Sequence, residues 1–250
     1  MGQHWYNQKG DSAYEVVGKN GKLRDTTLRD ARKLKLVPSV TTVTSVKASP
    51  GLQVYFRSQL LNAVQKTPPE EPLNEWRRKV AAMAGQHAKN AAERGNEIHD
   101  MLEGYFNNGE IGVVDRLDRE ICEAALALIH EKFPGVTWEA EASFCDLKFG
   151  FGGRVDLHSK DGDGIILDFK TKDGDDVSKF KAYADHHMQS AAYAVGLEIP
   201  RAKRYNLFIS RDTPGVVKLT ESEDFDKDWR MFEHLLEYWK LANNYNPGED

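Results

Sequence analysis

Only two cysteines, Cys122 and Cys145, occur in the 250-residue chain. Two thiols cannot complete a Cys₄ zinc site or hold an iron–sulfur cluster, so neither is expected. Both read as buried thiols, Cys122 in a helical pattern and Cys145 in a strand pattern. Long apolar runs are missing as well. No stretch approaches the roughly 18–20 residues of a membrane span, so no membrane partner is expected. The first ten residues, MGQHWYNQKG, carry neither an apolar signal core nor an Arg-rich presequence, and Tyr6 breaks the N-myristoylation pattern. A cytoplasmic protein is expected. Internal repeats and low-complexity tracts are absent. Of the nine prolines three fall in residues 67–72, TPPEEP, which therefore read as a loop.

What is present describes an ordinary globular chain, with 40% hydrophobic and 29% charged residues, long enough for one sizeable domain with an appended lobe. The net charge of −5 is unevenly spread. Residues 1–98 hold 16 Lys+Arg against 9 Asp+Glu, and the remainder 18 against 30. A basic half beside an acidic half fits a phosphate-binding lobe attached to a carboxylate-bearing centre. Solvated helices that happen to be basic fit equally well.

Periodicity orders the elements. Short strands are expected near residues 14–17. Ser39 reads as the cap of a helix from Val40, with a β-branched strand as the other option. Helices are expected over 50–61, 73–106, 113–133, 178–197 and 224–243, and strands over 138–145, 204–210 and 216–219. In the second helix Ile98, Leu102, Tyr105 and Phe106 form the core face. Gly95 there costs about 1 kcal/mol relative to alanine, which close approach of a sheet or a nucleic-acid backbone would explain. His99 lies beside the apolar stripe; alone, it reads as a surface or core histidine. The order implies an α/β (mixed α+β) fold, a central mixed sheet flanked by helices. The division expected is an N-terminal, mostly helical lobe over 1–90 and a core over 91–250.

Residues 151–172, FGGRVDLHSKDGDGIILDFKTK, read as two strands joined by a turn of Gly and Asp residues that tolerate positive φ. A register centred on Gly162 sets Asp156 opposite Asp168, with Cβ atoms about 4.5–5.5 Å apart. Two carboxylates so placed repel unless a metal, a proton or a lysine intervenes. Lys170 shares the Asp168 face.

Five elements then follow one another: Gly95-x-x-x-His99 on a helix, Glu141 on a strand, Gly153-Arg154-Val155-Asp156, Asp168-Phe169-Lys170-Thr171, and Gln189-x-x-x-Tyr193 on the next helix. Together with Pro38-Ser39-Val40-Thr41-Thr42-Val43, they resemble the RecB-like branch of the PD-(D/E)XK nuclease superfamily, as found in phage exonucleases, CRISPR adaptation nucleases and mitochondrial genome-maintenance exonucleases. The literal Pro-Asp is absent, since Val155 precedes Asp156.

The resemblance implies a restriction-endonuclease-like core and a metal-dependent DNA exonuclease acting in recombination, repair or replication. His99, Asp156, Asp168 and the backbone carbonyl of Phe169 would be the metal ligands, with Glu141, or else Glu139, adding an acid. Oxygen donors suit one or two Mg²⁺ or Mn²⁺ ions, and an imidazole tilts the choice toward Mn²⁺. Lys170 would be a cation that orients water and stabilises charge on the phosphorane. Gln189, Tyr193, Arg154, Lys172 and Arg94 would meet DNA, single-stranded or with free ends, although Arg154 is equally suited to a carboxylate partner. A recombination or single-strand-binding protein is an expected partner, and the oligomeric state stays open. The rival readings are a DNA-binding or recombination-accessory module, a structure-specific endonuclease, and a phosphohydrolase or glycosidase. A glycosidase needs its acids about 5–10 Å apart and has no use for Lys170 so placed.

Overall fold

The computed structural model describes residues 3–47, 49–70 and 72–248. Met1 and Gly2 of the N-terminal reading, and Glu71 of the proline-rich loop, lie outside them. The chain divides into two units, Met1–Val46 with His99–Asp250, and Lys47–Ile98. The first boundary differs from the 90/91 division read from the sequence, because residues 1–46 fold with the C-terminal part.

That N-terminal segment contains β1 (Trp5–Tyr6), β2 (Glu15–Val17), β3 (Leu23–Asp25), α1 (Leu28–Leu34), β4 (Val37–Pro38) and α2 (Val40–Thr44). Strand β1 pairs with β4, and β2 with β3. Thr27 and Asp30 form a capping box at α1. Ser39 caps α2 by accepting the Thr42 N–H at 2.9 Å, as its sequence position implied. Trp5, Ala31 and Leu36 join Trp239 and Tyr245 in one buried cluster, which ties both chain ends together.

The Lys47–Ile98 unit holds α3 (Pro50–Lys66) and most of α4 (Leu73–Asn108). Trp76 donates its indole N–H to the Thr67 carbonyl at 2.9 Å, fastening the loop between them.

From His99 onward come α5 (Arg116–Lys132), β5 (Glu139–Asp146), β6 (Phe151–Ser159), β7 (Ile165–Lys172), α6 (Ala184–Gly196), β8 (Lys203–Ser210), β9 (Val217–Ser222) and α7 (Phe225–Asn243). The five strands form one mixed sheet in the order β5-β6-β7-β8-β9, antiparallel except for the β7–β8 pair. A parallel pair needs a crossover, and α6 supplies it. Helices α2, α6 and α7 pack on one another, α6 also on β6, β7 and β8, while α5 lies against β8 and β9. The fold is therefore mixed α/β with helices flanking the sheet. Among the described residues no helix is long and apolar enough to cross a membrane.

Several boundaries moved, and the helix expected over 50–61 runs on to Lys66. The helix expected over 178–197 is a single 3₁₀ turn, Val177–Lys179, followed by α6 from Ala184. Burial of Phe180 and a cap by Tyr183 interrupt it. Asp115, which accepts the Asp118 N–H, starts α5 at Arg116. Cys122 is buried, but Cys145 is only partly so, which corrects that expectation; both are free thiols.

Candidate active site

The hairpin of β6 and β7 has the register its sequence implied: Leu157 pairs with Leu167, His158 with Ile166 and Ser159 with Ile165. Gly162 and Gly164 take positive φ in the turn. The ladder stops one step short of Asp156 and Asp168. There the Asp156 side chain takes over, its Oδ2 accepting the Phe169 backbone N–H at 2.5 Å. Asp156 Oδ1 meets His99 Nδ1 at 3.3 Å, and the His99 ring stands edge-on to Phe169. Burial alone would raise Asp156 and lower His99. Their mutual attraction, with Lys170 and the Phe169 N–H acting on Asp156, holds Asp156 below the usual carboxylate range and His99 above the usual imidazole value.

Asp168 is buried, and two donors converge on its Oδ2: Lys170 Nζ at 2.5 Å and Asn206 Nδ2 at 2.9 Å. Burial, reinforced by the nearby Asp156 charge, pushes Asp168 up despite Lys170. Lys170 also donates to Gln189 Oε1 at 3.0 Å, and Gln189 Nε2 donates to Tyr193 Oη at 2.6 Å. These two α6 residues are one turn apart and so share a face. Burial and the two aspartates raise the Tyr193 phenol well above its ordinary value, so it is the neutral end of the relay.

Glu141 stands across from Asp156 in the β5–β6 register, between the Ala140–Leu157 and Ala142–Val155 pairs. Its φ of 54° is unusual for a side chain with a Cβ and interrupts the ladder there. Arg154 lies against its carboxylate as an ion pair, so of the two roles read for Arg154 the structure displays the salt bridge. Burial nevertheless raises the Glu141 carboxyl to about 7, with Asp156 and Glu103 adding to the rise and Arg154 opposing it. Glu139 instead turns to His158, 3.3 Å from its Nε2.

His99, Asp156, Asp168, Lys170, Gln189 and Tyr193 thus come together, with Glu141 and Arg154 beside them. Lys172 points elsewhere, with its ammonium 5.5 Å from the Tyr183 ring centroid. Arg94 belongs to the Lys47–Ile98 unit and pairs with Glu97 at 3.1 Å. Two residues were missed. Glu103 lies one turn after His99, a spacing the sequence displayed; Asn206 sits in a strand of mixed polarity, KRYNLFIS, without any motif.

Among the described residues no group of three or more His, Cys, Asp or Glu side chains forms a ready-made metal cage. Lys170 and His99 occupy the acids as counter-charges. The donor set still fits a hard divalent ion: two carboxylates, one of them fully enclosed, an imidazole, and a third carboxyl that burial raises.

Compared with known proteins, the chain matches no family model. No curated protein matches it either. One solved structure, described as "Crystal structure of SSO0001", aligns over 77% of this chain and 86% of that chain, with 15% identity and a TM-score of 0.40.

Proposed function

We propose that the chain is a metal-dependent deoxyribonuclease of the PD-(D/E)XK superfamily, RecB-like branch, with a restriction-endonuclease-like core. It hydrolyses phosphodiester bonds as an exonuclease. The observation that supports this reading is the pair of contact series His99–Asp156 and Asp168–Lys170–Gln189–Tyr193, contributed by α4, β6, β7 and α6.

His99, Asp156, Asp168 and the Phe169 carbonyl, with Glu141, would hold one or two Mg²⁺ or Mn²⁺ ions. Such ions neutralise the scissile phosphate and acidify a bound water. Lys170, steadied by Gln189, places a positive charge where negative charge grows on the phosphate. Gln189 and Tyr193 fix where that ammonium points. Arg154, half exposed, is available to a DNA phosphate once Glu141 is otherwise engaged. The Lys47–Ile98 segment, with 8 Lys+Arg against 5 Asp+Glu, would guide a single strand or a free DNA end. Cytoplasmic action in recombination, repair or replication, alongside a single-strand-binding or recombination protein, belongs to the same reading.

The test is digestion of end-labelled single- and double-stranded DNA with Mg²⁺ or Mn²⁺. Asp168→Ala is expected to abolish cleavage and Lys170→Ala to reduce it about 10²–10³-fold, the range for losing a charge-stabilising donor. Equal activity in all three proteins would remove this reading, and DNA retention without cleavage would favour an accessory module. Sparing of closed circular DNA would identify exonuclease action.

A further inference from the structure

The position across from Asp168 in the parallel β7–β8 pair is Asn206, which is fully buried. An interior position on a central strand normally takes an apolar side chain or a polar one that is fully paired, and on the Asn206 face Phe208 and Arg204, the latter bonded to Asp228 and to the His187 and Ser222 carbonyls, conform. Asn206 does not, and its Oδ1 has no hydrogen-bond partner although it is buried. The amide cannot be turned to relieve this. Reversing it would press Oδ1 against the Asp168 carboxylate and lose the only donor that Asn206 supplies there. An orphaned buried acceptor costs stability, so the reason for the amide lies in the one bond it does make.

The reason lies in which Asp168 oxygen it holds. Asn206 Nδ2 and Lys170 Nζ both bond Oδ2. Among the described residues no hydrogen bond or ion pair reaches Oδ1. Two donors on one oxygen fix the carboxylate plane and commit Oδ2, so Oδ1 is the oxygen left to accept a cation. Asn206 also stays on Asp168 whenever Lys170 swings toward a phosphate, because its side chain is enclosed by the sheet and Lys170's is not. We infer that Asn206 is a positioning residue for the metal site: it clamps Asp168 Oδ2 so that Oδ1 faces the ion.

This inference rests on the metal-dependent reading above, and the experiment separates the two. Mn²⁺ binding to the full chain is measured by electron paramagnetic resonance and calorimetry without DNA, for wild type, Asn206→Leu, Asn206→Ala and Asp168→Ala. Thermal unfolding of each metal-free protein serves as the fold control. Leucine matches asparagine in shape and removes both the donor and the orphaned acceptor. Asn206→Leu is expected to unfold at or above the wild-type temperature while binding Mn²⁺ about 10–100-fold more weakly, the usual consequence of losing a group that orients a metal ligand. If leucine cannot be accommodated, Asn206→Ala tests the same loss of the donor. Wild-type Mn²⁺ affinity in a folded Asn206 variant, with binding lost in Asp168→Ala, would overturn the positioning role and leave the metal reading intact. No Mn²⁺ binding by wild type would overturn both.

Discussion

At Glu141 the backbone takes φ 54° and the carboxyl is raised to about 7. Its ordinary value of 4.5 applies in the unfolded chain, so between roughly pH 4.5 and 7 the folded protein binds the extra proton. Stability attributable to this group is therefore intact below pH 4.5 and is lost as pH rises through 7. Glu141→Gln, which cannot ionise, should be more favourable relative to wild type at pH 8 than at pH 5, by up to about 3 kcal/mol. Urea unfolding of the metal-free proteins at the two pH values measures it; a difference of opposite sign would refute the account. At this scale the sequence was legible wherever a residue belonged to a spaced motif, as His99 or Gln189 did. Asn206 was not, because a polar residue in a strand that also carries Lys203, Arg204 and Ser210 becomes informative only once the strand beside it is known. Glu103 displayed its spacing from His99, but nothing in the chain separated it from an ordinary solvent-facing glutamate.

Among the elements, β5, β6 and α6 meet at one aromatic wedge. The Phe144 ring lies where side chains at Gly153 and Gly196 would have to be: a Cβ at Gly196 would come 1.9 Å from Phe144 Cε2, and one at Gly153 2.9 Å from the same ring. Phe144 in turn stands edge-on to Tyr193, with 6.2 Å between ring centroids. Gly196→Ala should therefore cost about 1–3 kcal/mol, the range for overpacking a filled core. It should also lower cleavage by shifting the helix that presents Gln189 to Lys170. A shift in urea midpoint with unchanged activity would show that α6 absorbs the strain locally. This gives Gly153, read from the sequence only as part of a motif, a packing reason. The hairpin register was readable because alternation and a Gly-Asp turn both specify it. The start of α6 was not, since its cap is Tyr183 with His186, a pair without the Ser, Thr, Asp or Asn that usually marks a helix start.

Over the whole molecule, the order of elements from α2 onward followed from periodicity, while α1, the short strands β1, β3 and β4 around it and the way these residues join the rest did not. Trp5 meets Trp239 at 5.8 Å between ring centroids, and the Tyr245 hydroxyl donates to the Leu36 carbonyl at 2.8 Å. Contacts across more than 200 residues leave no local pattern to read. The charge contrast between the halves of the sequence accordingly does not map onto the two structural units. Trp5→Ala should cost about 3–5 kcal/mol, the range for emptying a buried aromatic site. Loss of that size, read from urea unfolding followed at the sheet and at α7 together, would show residues 1–46 to be part of the core. An unchanged main transition would make them a detachable cover.

The bond from the Phe169 amide to the Asp156 carboxylate gives the site a readout of its own. A peptide N–H held by a charged oxygen, where a neutral carbonyl would hold it elsewhere in the sheet, has its proton drawn toward that charge. Whatever alters the charge on Asp156, whether a proton, His99 or a metal ion, alters the pull on that one backbone proton. In nuclear magnetic resonance terms, the Phe169 amide is a built-in electrometer, placed on the main chain directly after Asp168 and against the Asp156 carboxylate.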